Sequence, residues 1–475
     1  MPEAGRGRPE GSGLVEHEAR TTERFPGYRQ ASMLVFLVFL AFVVVRYVQA
    51  GERMDLLRTI RFEFLLGGAS IIMAIIQMSQ RQPQIGTARV LLISIGLLFF
   101  CMILELPLAA DPVVARTIFN NRGFKFAMLT FLVLVFVESP LYLRYFLWAF
   151  LFSIFYITLE SVQGLITGGL YWENQGVMRL HGAVPLYGHP NSLGGVSLGA
   201  LPFVIYLWPQ TRQWYLRMGL LALAVTASIC VIYSGSRTAY VGLLGLVVWM
   251  FVQADRKLRF LVVTLVCGAV LVAALPPQYI ERFKSIGGQE KEGHSKDARI
   301  QILRDAWTIF LENPLGVGVA SFPAKRQARF GRSQDTHNLY MEVATNLGIQ
   351  GFIAFCVMVG AMMMVLHRAT VAFKLQRKRL AFLLRNGPPL PPAARRMLSR
   401  HDRDLQLLIA VSKATGGFIF VRLILGFFGM DLYEIYWWFG AGVATSLSGM
   451  VVTARRRTAW LEARLGELAA TPAAP

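Results

Sequence analysis

Residues 344–366 read ATNLGIQGFIAFCVMVGAMMMVL, a run of 23 residues without a single charged side chain. About 20 apolar residues in a helix cross the hydrocarbon core of a bilayer, so this run predicts a transmembrane helix. Comparable runs recur along the chain, separated by short polar stretches. Of the 475 residues, 55% are hydrophobic and only 16% are charged, against about a quarter in soluble domains. This composition excludes a soluble multidomain protein, a disordered chain and a secreted disulfide scaffold.

The chain is predicted to be an all-α integral membrane protein with about twelve spans. The predicted spans are 32–49, 62–78, 88–109, 124–138, 142–167, 191–208, 216–234, 238–252, 258–275, 344–366, 408–430 and 433–453. With the N-terminus in the cytoplasm, 27 Lys and Arg lie on the cytoplasmic side and 19 on the other side. Since basic residues favour cytoplasmic loops, the net charge of +20 indicates membrane topology and not a nucleic-acid partner.

The spans divide the chain into seven regions. These are a cytoplasmic N-terminal tail (1–31), spans 1–9 (32–275), a large helical extracytoplasmic loop (276–343), span 10 (344–366), a basic cytoplasmic loop (367–407), spans 11 and 12 (408–453) and a cytoplasmic C-terminal tail (454–475). Within the large loop, apolar residues at helical spacing predict a helix that ends at Asn313-Pro314. The basic loop contains a proline run at 388–392 and is predicted to be an amphipathic, lipid-facing or linker segment, or else a positive topology anchor.

Two sets of residues receive a structural interpretation. The cysteines lie inside apolar runs with no histidine at ligand spacing, so neither a disulfide nor a metal site is predicted; they are Cys101, Cys230, Cys267 and Cys356. The aromatic residues at the start of the last span predict an interfacial belt; they are Tyr433, Tyr436, Trp437 and Trp438.

An arginine occurs where two apolar runs meet. Residues 233–240 read YSGSRTAY, and Arg237 follows a glycine and two serines at the predicted outer face. A charge at membrane depth is costly and usually has an anionic partner, and a tight turn at a helix start offers N–H groups to an anion. The motif therefore predicts an anion-binding turn. The alternative is an arginine that snorkels to the interface and only fixes topology.

Two further arginines, Arg299 and Arg304, lie on the predicted helix of the large loop. A guanidinium is a planar fork that matches phosphate oxygens, so these arginines and Arg237 predict a clamp for a diphosphate. The alternative is a solvated basic helix face.

A histidine precedes span 10 in the sequence Asp335-Thr336-His337-Asn338. Asp335 or Thr336 is expected to cap the helix, which places His337 in its first turn, where the helix dipole favours a neutral imidazole. A neutral imidazole accepts a proton from a hydroxyl, so His337 is predicted to be a general base. The alternative is an interfacial histidine without a role.

One more polar cluster opens the sixth span. His189-Pro190-Asn191 begins that span at the predicted outer face, so these side chains either line the same cleft or cap the helix. Asp402-Arg403-Asp404 has the spacing of a metal–nucleotide motif but lies on the opposite face, which indicates surface charge. No metal site and no cofactor are predicted.

These blocks resemble, in their order, the O-antigen ligase/polymerase superfamily of bacterial envelope glycosyltransferases. The segment HNLYME at 337–342, followed by NLGIQG at 346–351, resembles the His-Asn-x-Tyr-Leu…Gly-x-x-Gly signature, with Met341 in place of leucine. Upstream blocks also resemble family elements: HPN at 189–191, SRTA at 236–239, DAR at 297–299 and NPLGVG at 313–318. The resemblance covers roughly residues 185–365, and the N-terminal third matches only as apolar spans.

The resemblance implies a helical membrane glycosyltransferase, similar to the GT-C type, in the bacterial inner membrane with its active site facing the periplasm. Its donor would be a glycan on a polyprenyl (undecaprenyl) diphosphate. Arg237 and Arg299 would bind the diphosphate and His337 would activate the acceptor hydroxyl. The other substrate-binding residues would be Arg304, Asn338, Tyr340, His189 and Asn191. The reaction is predicted to be metal-independent and to invert the anomeric carbon, since the arginines stabilise the leaving group.

Several functions share this arrangement. The favoured interpretation is O-antigen ligation to lipid A–core in lipopolysaccharide biosynthesis. A polymerase of the same superfamily would transfer the chain to another glycan, and a protein O-oligosaccharyltransferase would use a side-chain hydroxyl. A lipid-linked glycan flippase is the alternative from a different class, although such transporters usually have internal repeats.

Overall fold

The computed structural model describes residues 25–174, 177–274, 277, 279–280, 295–386 and 392–470. The first 24 residues of the predicted N-terminal tail, part of the large loop (281–294), the proline run up to residue 391 and the last five residues lie outside this description.

The described chain is almost entirely helical. Its α-helices are α1 (Met33–Val48), α2 (Ala50–Arg53), α3 (Asp55–Thr59), α4 (Phe62–Gln80), α5 (Arg89–Glu105), α6 (Pro112–Ile118), α7 (Lys125–Phe136), α8 (Pro140–Thr167), α9 (Pro190–Leu207), α10 (Trp214–Tyr233), α11 (Arg237–Gln253), α12 (Lys257–Ala274), α13 (Ser295–Glu312), α14 (Phe322–Phe330), α15 (Leu339–Asn386), α16 (Pro392–Leu425) and α17 (Ile435–Ala470). A π-helical turn (Phe119–Phe124) joins α6 to α7, and two 3₁₀ turns occupy Pro185–Tyr187 and Trp208–Gln210. Strands β1 (Tyr171–Asn174) and β2 (Val177–Leu180) form one antiparallel hairpin.

The predicted all-α membrane fold is confirmed. Every one of the twelve predicted spans falls on a helix. Within the described residues, eight helical segments are long and apolar enough to cross a membrane, and α1 and α11 are shorter apolar helices. The fourth predicted span is part of a longer segment, Pro112–Phe136, which includes the π-helical turn.

Helices continue into two regions outside the predicted spans. In the predicted basic loop 367–407, α15 continues to Asn386 and α16 begins at Pro392. The C-terminal tail predicted from residue 454 is likewise a continuation of α17 to Ala470. Basic residues end an apolar run but are good helix formers, so the loss of hydropathy does not mark the end of the helix.

An aromatic cluster fills the centre of the bundle. The ring of Phe439 on α17 lies 4.4 Å from Phe150 on α8 and 5.7 Å from Phe203 on α9. Trp437 and Trp438 are each only 1% exposed, and Tyr433 and Tyr436 are 5% and 7% exposed, so the prediction of an interfacial belt is wrong for all four residues. The two tryptophans face other helices, and Trp437 Nε1 donates to the Asp431 carbonyl at 2.8 Å.

The helices alternate between two opposite ends of the bundle, and α17 runs from one to the other. Before α17, Glu434 pairs with Arg122 at 3.0 Å. In the second half of the same helix, Arg457 pairs with Asp404 at 3.1 Å. We call the end that contains Arg122, Glu434 and the start of α15 the site end, because the residues considered below lie there.

Candidate active site

A buried arginine organises the site end around the start of α9. Arg179 on β2 donates from Nε to the carbonyl of Ser234 at 2.9 Å and from Nη2 to Asn191 Oδ1 at 2.7 Å. It therefore joins the β-hairpin, the first turn of α9 and the turn between α10 and α11. A guanidinium suits this task, since its planar donors reach several acceptors at once.

Arg237 lies on the turn that Arg179 holds. Gly235 has φ +54°, and Ser236 caps α11 by accepting from the N–H of Ala239 at 3.2 Å. Arg237 is the first residue of α11 and is half-buried. The tight turn predicted from YSGSRTAY is present, and it places a guanidinium at a helix N-terminus, where anions are favoured.

His189 is the N-cap of α9. Its Nδ1 accepts from the N–H of Asn191 at 3.1 Å, and Trp172 packs edge-on against its ring at 5.1 Å. Burial lowers the pKa of His189 to about 4, with further lowering from Arg179, His337 and Arg299. His189 is therefore neutral at physiological pH. Of the two roles left open by the sequence, the structure shows the cap, and a position in a substrate cleft stays a prediction.

His337 has a conformation that differs from the prediction. Its φ is +46°, in the left-handed region, and α15 begins two residues later at Leu339. The N-cap is Asn338, whose Oδ1 accepts from the N–H of Met341 at 3.0 Å, and neither Asp335 nor Thr336 takes this place. Asp335 and Thr336 were the predicted caps, but Asn338 takes this position and also donates to the Phe427 carbonyl just beyond α16. A non-glycine residue in this conformation is held there by its surroundings.

The environment of His337 keeps its ring neutral. Although the side chain is exposed at the surface, its neighbours displace enough water that desolvation is the main cause of a lowered pKa. Arg299 lowers the pKa further and Asp335 opposes this. The predicted direction is confirmed, but desolvation is the main cause where the sequence suggested a helix dipole.

The loop arginines divide into two groups. Arg299, exposed on α13, acts electrostatically on both His189 and His337. Arg304 is also exposed but follows Arg299 by five residues, which turns it about 140° around the helix. Arg326 is buried against Asp305 at 2.9 Å, and Arg329 pairs with Glu312 at 3.1 Å. The last two arginines stabilise the loop.

Asn338 and Tyr340 connect α15 to α16. Asn338 Nδ2 donates to the carbonyl of Phe427 at 3.1 Å, and Tyr340 OH donates to the carbonyl of Leu423 at 2.7 Å. Their polar groups bind protein backbone in this structure, so their direct effect is to position the segment that carries His337.

The two glycine-containing blocks contact each other. Gly348 has φ +67° and breaks the helical conformation within α15. At this break, the N–H of Ile349 donates to the Pro314 carbonyl and the N–H of Gly318 donates to the Asn346 carbonyl, at 2.9 and 3.1 Å. The backbone of loop 313–318 thus forms hydrogen bonds with N–H and carbonyl groups that the break in α15 leaves without helical partners.

The site contains residues that sequence reasoning missed. Arg179 belongs to no motif, and its only signal is a charge between Met178 and Leu180 in a short, mostly apolar hairpin. Asp335 was considered only as a cap, whereas it acts electrostatically on His337. Across the described segments, no group of three or more His, Cys, Asp or Glu side chains is arranged to hold a metal ion.

The structure describes a multi-pass helical membrane protein in which His189, His337 and several arginines lie at one end of the bundle. Residues 196–356 match the family described as O-antigen ligase, which supports the O-antigen ligase/polymerase superfamily. The resemblance predicted from the ordered motifs is confirmed. The match includes Arg237, Arg299 and His337, and it supports an enzyme of the ligase or polymerase type. No curated protein matches the chain.

Proposed function

We propose that this protein transfers a glycan from a polyprenyl diphosphate to an acceptor hydroxyl at the periplasmic face of the bacterial inner membrane. The observation that carries the proposal is that Arg299 acts electrostatically on both His189 and His337 at the site end, and that Arg179 acts on His189. Arg237 lies on the turn that Arg179 holds. A base and a group of cations are the two components that this transfer requires.

In the proposed reaction, His337 accepts the proton of the acceptor hydroxyl. The hydroxyl oxygen attacks the anomeric carbon, the bond from that carbon to the diphosphate oxygen breaks, and its electron pair stays on the diphosphate. Arg237 and Arg299 stabilise the negative charge that develops there, because fixed donors in a poorly hydrated site need no reorganisation. Attack opposite the leaving group inverts the anomeric carbon.

The remaining predicted residues receive supporting roles. Arg179 is a positioning residue, since it holds the turn before Arg237 and the side chain of Asn191. His189 lines the donor side of the cleft as a neutral ring, while Asn338 and Tyr340 hold the backbone on either side of His337. Arg304 contacts a more distant part of the substrate. Two arginines supply the charge for which other glycosyltransferases use a divalent cation, so the transfer proceeds without a metal.

We further propose that the acceptor is lipid A–core, which makes the protein an O-antigen ligase. The test is transfer by the purified protein from a polyprenyl-diphosphate glycan to lipid A–core in the presence of EDTA. The expected product is lipid A–core that carries the glycan, with free polyprenyl diphosphate released. Longer chains formed from the donor alone would identify a polymerase. Failure of both reactions would contradict the proposed chemistry and favour lipid-linked glycan transport.

A further inference from the structure

A cavity separate from the residues described above lies at the site end, among the N-terminal helices of the bundle. It has a volume of about 780 Å³ and is bounded by α1, the short helices α2 and α3, the start of α4, and the π-helical turn with α7. This volume is within the ~300–1,000 Å³ typical of ligand sites. None of the residues that the proposed transfer reaction uses lines it.

The polar part of the cavity is cationic. Four basic residues line it (Arg46, Arg58, Arg61 and Lys125) against two acidic ones, Glu52 and Glu63. Glu63 forms an ion pair with Arg46 at 2.8 Å, and the guanidinium of Arg46 also stacks on the ring of Phe126. Arg61 makes no ion pair with a described carboxylate. This balance favours an anionic ligand with oxygen acceptors, such as a phosphate.

One of these arginines has an unusual backbone conformation. Arg61 has φ +49° and directly precedes α4, so the chain reverses at this residue. A non-glycine residue in the left-handed region costs free energy that the surrounding structure must offset. The conformation brings the Arg61 side chain into the lining of the cavity.

The apolar part of the cavity faces the membrane. Phe64 on α4 lines the cavity and is 69% exposed, and its neighbour Leu65, outside the lining, is 56% exposed, as expected for a lipid-facing helix surface. Leu56 on α3 is 67% exposed beside the basic Arg58, the pattern of a helix that lies in the interface between headgroups and acyl chains. Gly68 lines the cavity on α4, and a Cβ atom added there would meet no atom within 4 Å.

Charged residues connect this cavity to His337. Arg46, in its lining, acts electrostatically on Glu434. Glu434 pairs with Arg122 at 3.0 Å, and Arg122 acts on Asp335, the acidic neighbour of His337. The cavity therefore lies at the same end of the bundle as the predicted base.

We propose that this cavity binds the phosphate-bearing headgroup of the membrane lipid that accepts the glycan. This inference rests on the proposed transferase function and places the acceptor site. Arg58, Arg61 and Lys125 bind the phosphate, and the acyl chains leave along the exposed face of α4. The acceptor lipid bound here and the donor diphosphate at Arg237 and Arg299 then lie at the same end of the bundle as His337.

The first test fills the cavity. Gly68→Leu adds a side chain into open space, and Gly96→Leu is the matched control, since Gly96 on α5 also has no atom within 4 Å of an added Cβ and lies outside the cavity. Gly68→Leu is expected to raise the KM for lipid A–core about tenfold and to leave the KM for the donor unchanged, an effect equivalent to about 1.4 kcal/mol. Gly96→Leu is expected to change neither. An unchanged acceptor KM, or equal changes in both, would overturn the proposal.

The second test does not need turnover. Native mass spectrometry measures retention of lipid A–core, of its dephosphorylated form and of phosphatidylglycerol by wild type, Arg61→Gln and His337→Ala. Wild type and His337→Ala are expected to retain the phosphorylated lipid A–core about tenfold better than Arg61→Gln, the scale of one charge-assisted hydrogen bond. The acceptor site would be overturned if dephosphorylation of the lipid or Arg61→Gln left retention unchanged, or if wild type retained phosphatidylglycerol better than lipid A–core. Since binding is read without chemistry, failure of the transfer reaction alone would leave this result interpretable.

Discussion

His337 combines a reactive group with a backbone conformation that has to be imposed. Its φ of +46° places the ring ahead of α15. The next residue, Asn338, donates from Nδ2 to the Phe427 carbonyl just after α16. The sequence predicts His337 as the base, because it opens the HNLYME block directly before a membrane helix. It could not give the conformation, since that depends on a contact between segments 89 residues apart.

Arg179 shows the opposite case at the residue scale. No sequence motif around Arg179 indicates a role, and its effect on the site comes from its hydrogen bonds to two acceptors, the Ser234 carbonyl and Asn191 Oδ1. Motif reasoning finds residues that act on the substrate more readily than residues that hold those residues in place. Buried arginines with defined partners belong to the second kind.

The pH dependence of transfer tests the environment of His337. A general base must be unprotonated, so the rate falls as the pH drops through its pKa. Because desolvation and Arg299 lower the pKa of His337, the acidic limb of kcat is expected below pH 6.5. Asp335 raises that pKa, so Asp335→Asn is expected to move the limb to still lower pH.

The control for this measurement is Asp402→Asn. Asp402 pairs with Arg377 at the other end of the bundle, so its loss is expected to leave the limb in place. A limb that moves to higher pH in Asp335→Asn would contradict the proposed assignment of the base.

At the scale of elements, the break in α15 explains the spacing of the glycine blocks. A Cβ atom on Gly348 would lie 2.2 Å from the Leu315 carbonyl carbon, and one on Gly316 would lie 2.8 Å from Glu105 Oε2. The sequence predicted a helix over 344–366 and treated the glycines as part of a family signature. The docking of loop 313–318 into the break could not be predicted, because its backbone hydrogen bonds join segments about thirty residues apart.

Substitution of Gly348 tests this packing. Gly348→Ala is expected to lower the Tm of the detergent-solubilised protein, because alanine is strained at φ +67° and collides with the docked loop, a cost of at least about 1–3 kcal/mol. The matched control is Gly360→Ala in the same helix, where a Cβ meets no atom within 4 Å. There the Tm is expected to stay equal or rise, since alanine is the better helix former. Equal Tm values for Gly348→Ala and wild type would contradict this account of the break.

At the scale of the whole molecule, hydropathy predicted the order of the apolar helices but not their lengths; twelve spans were predicted, and eight described helical segments are long and apolar enough to cross a membrane. Each predicted span coincides with a helix, and the alternation of the two ends follows from that order. The predicted helix ends differ from the structure where α15 and α17 continue beyond the apolar runs. A hydropathy window detects the part of a helix that is apolar enough to cross the membrane, and not its polar continuation. Leu380 in the extension of α15 and Leu461 in that of α17 are buried, but charged residues flank them in the sequence and lower the local hydropathy.

Cysteine accessibility tests the predicted topology. Ser333→Cys lies in the loop before His337 and Ser399→Cys lies in α16, and both serines are exposed. A membrane-impermeant maleimide added to intact spheroplasts is expected to label Ser333→Cys, and to label Ser399→Cys only after permeabilisation. The unsubstituted protein is the control, because its own cysteines lie in predicted spans. The reverse pattern would place the site end in the cytoplasm and contradict transfer in the periplasm.

The central claim is that His337 is the base and that Arg237 holds the donor diphosphate. The most direct test compares donor affinity with the rate of a single turnover for wild type, His337→Ala and Arg237→Gln. We expect His337→Ala to bind the polyprenyl-diphosphate glycan with wild-type affinity while its rate falls about 10²–10⁴-fold. Arg237→Gln should bind the donor about tenfold or more weakly, because a charge-assisted contact is lost. A His337→Ala variant that turns over at the wild-type rate, or that fails to bind donor, would contradict the account.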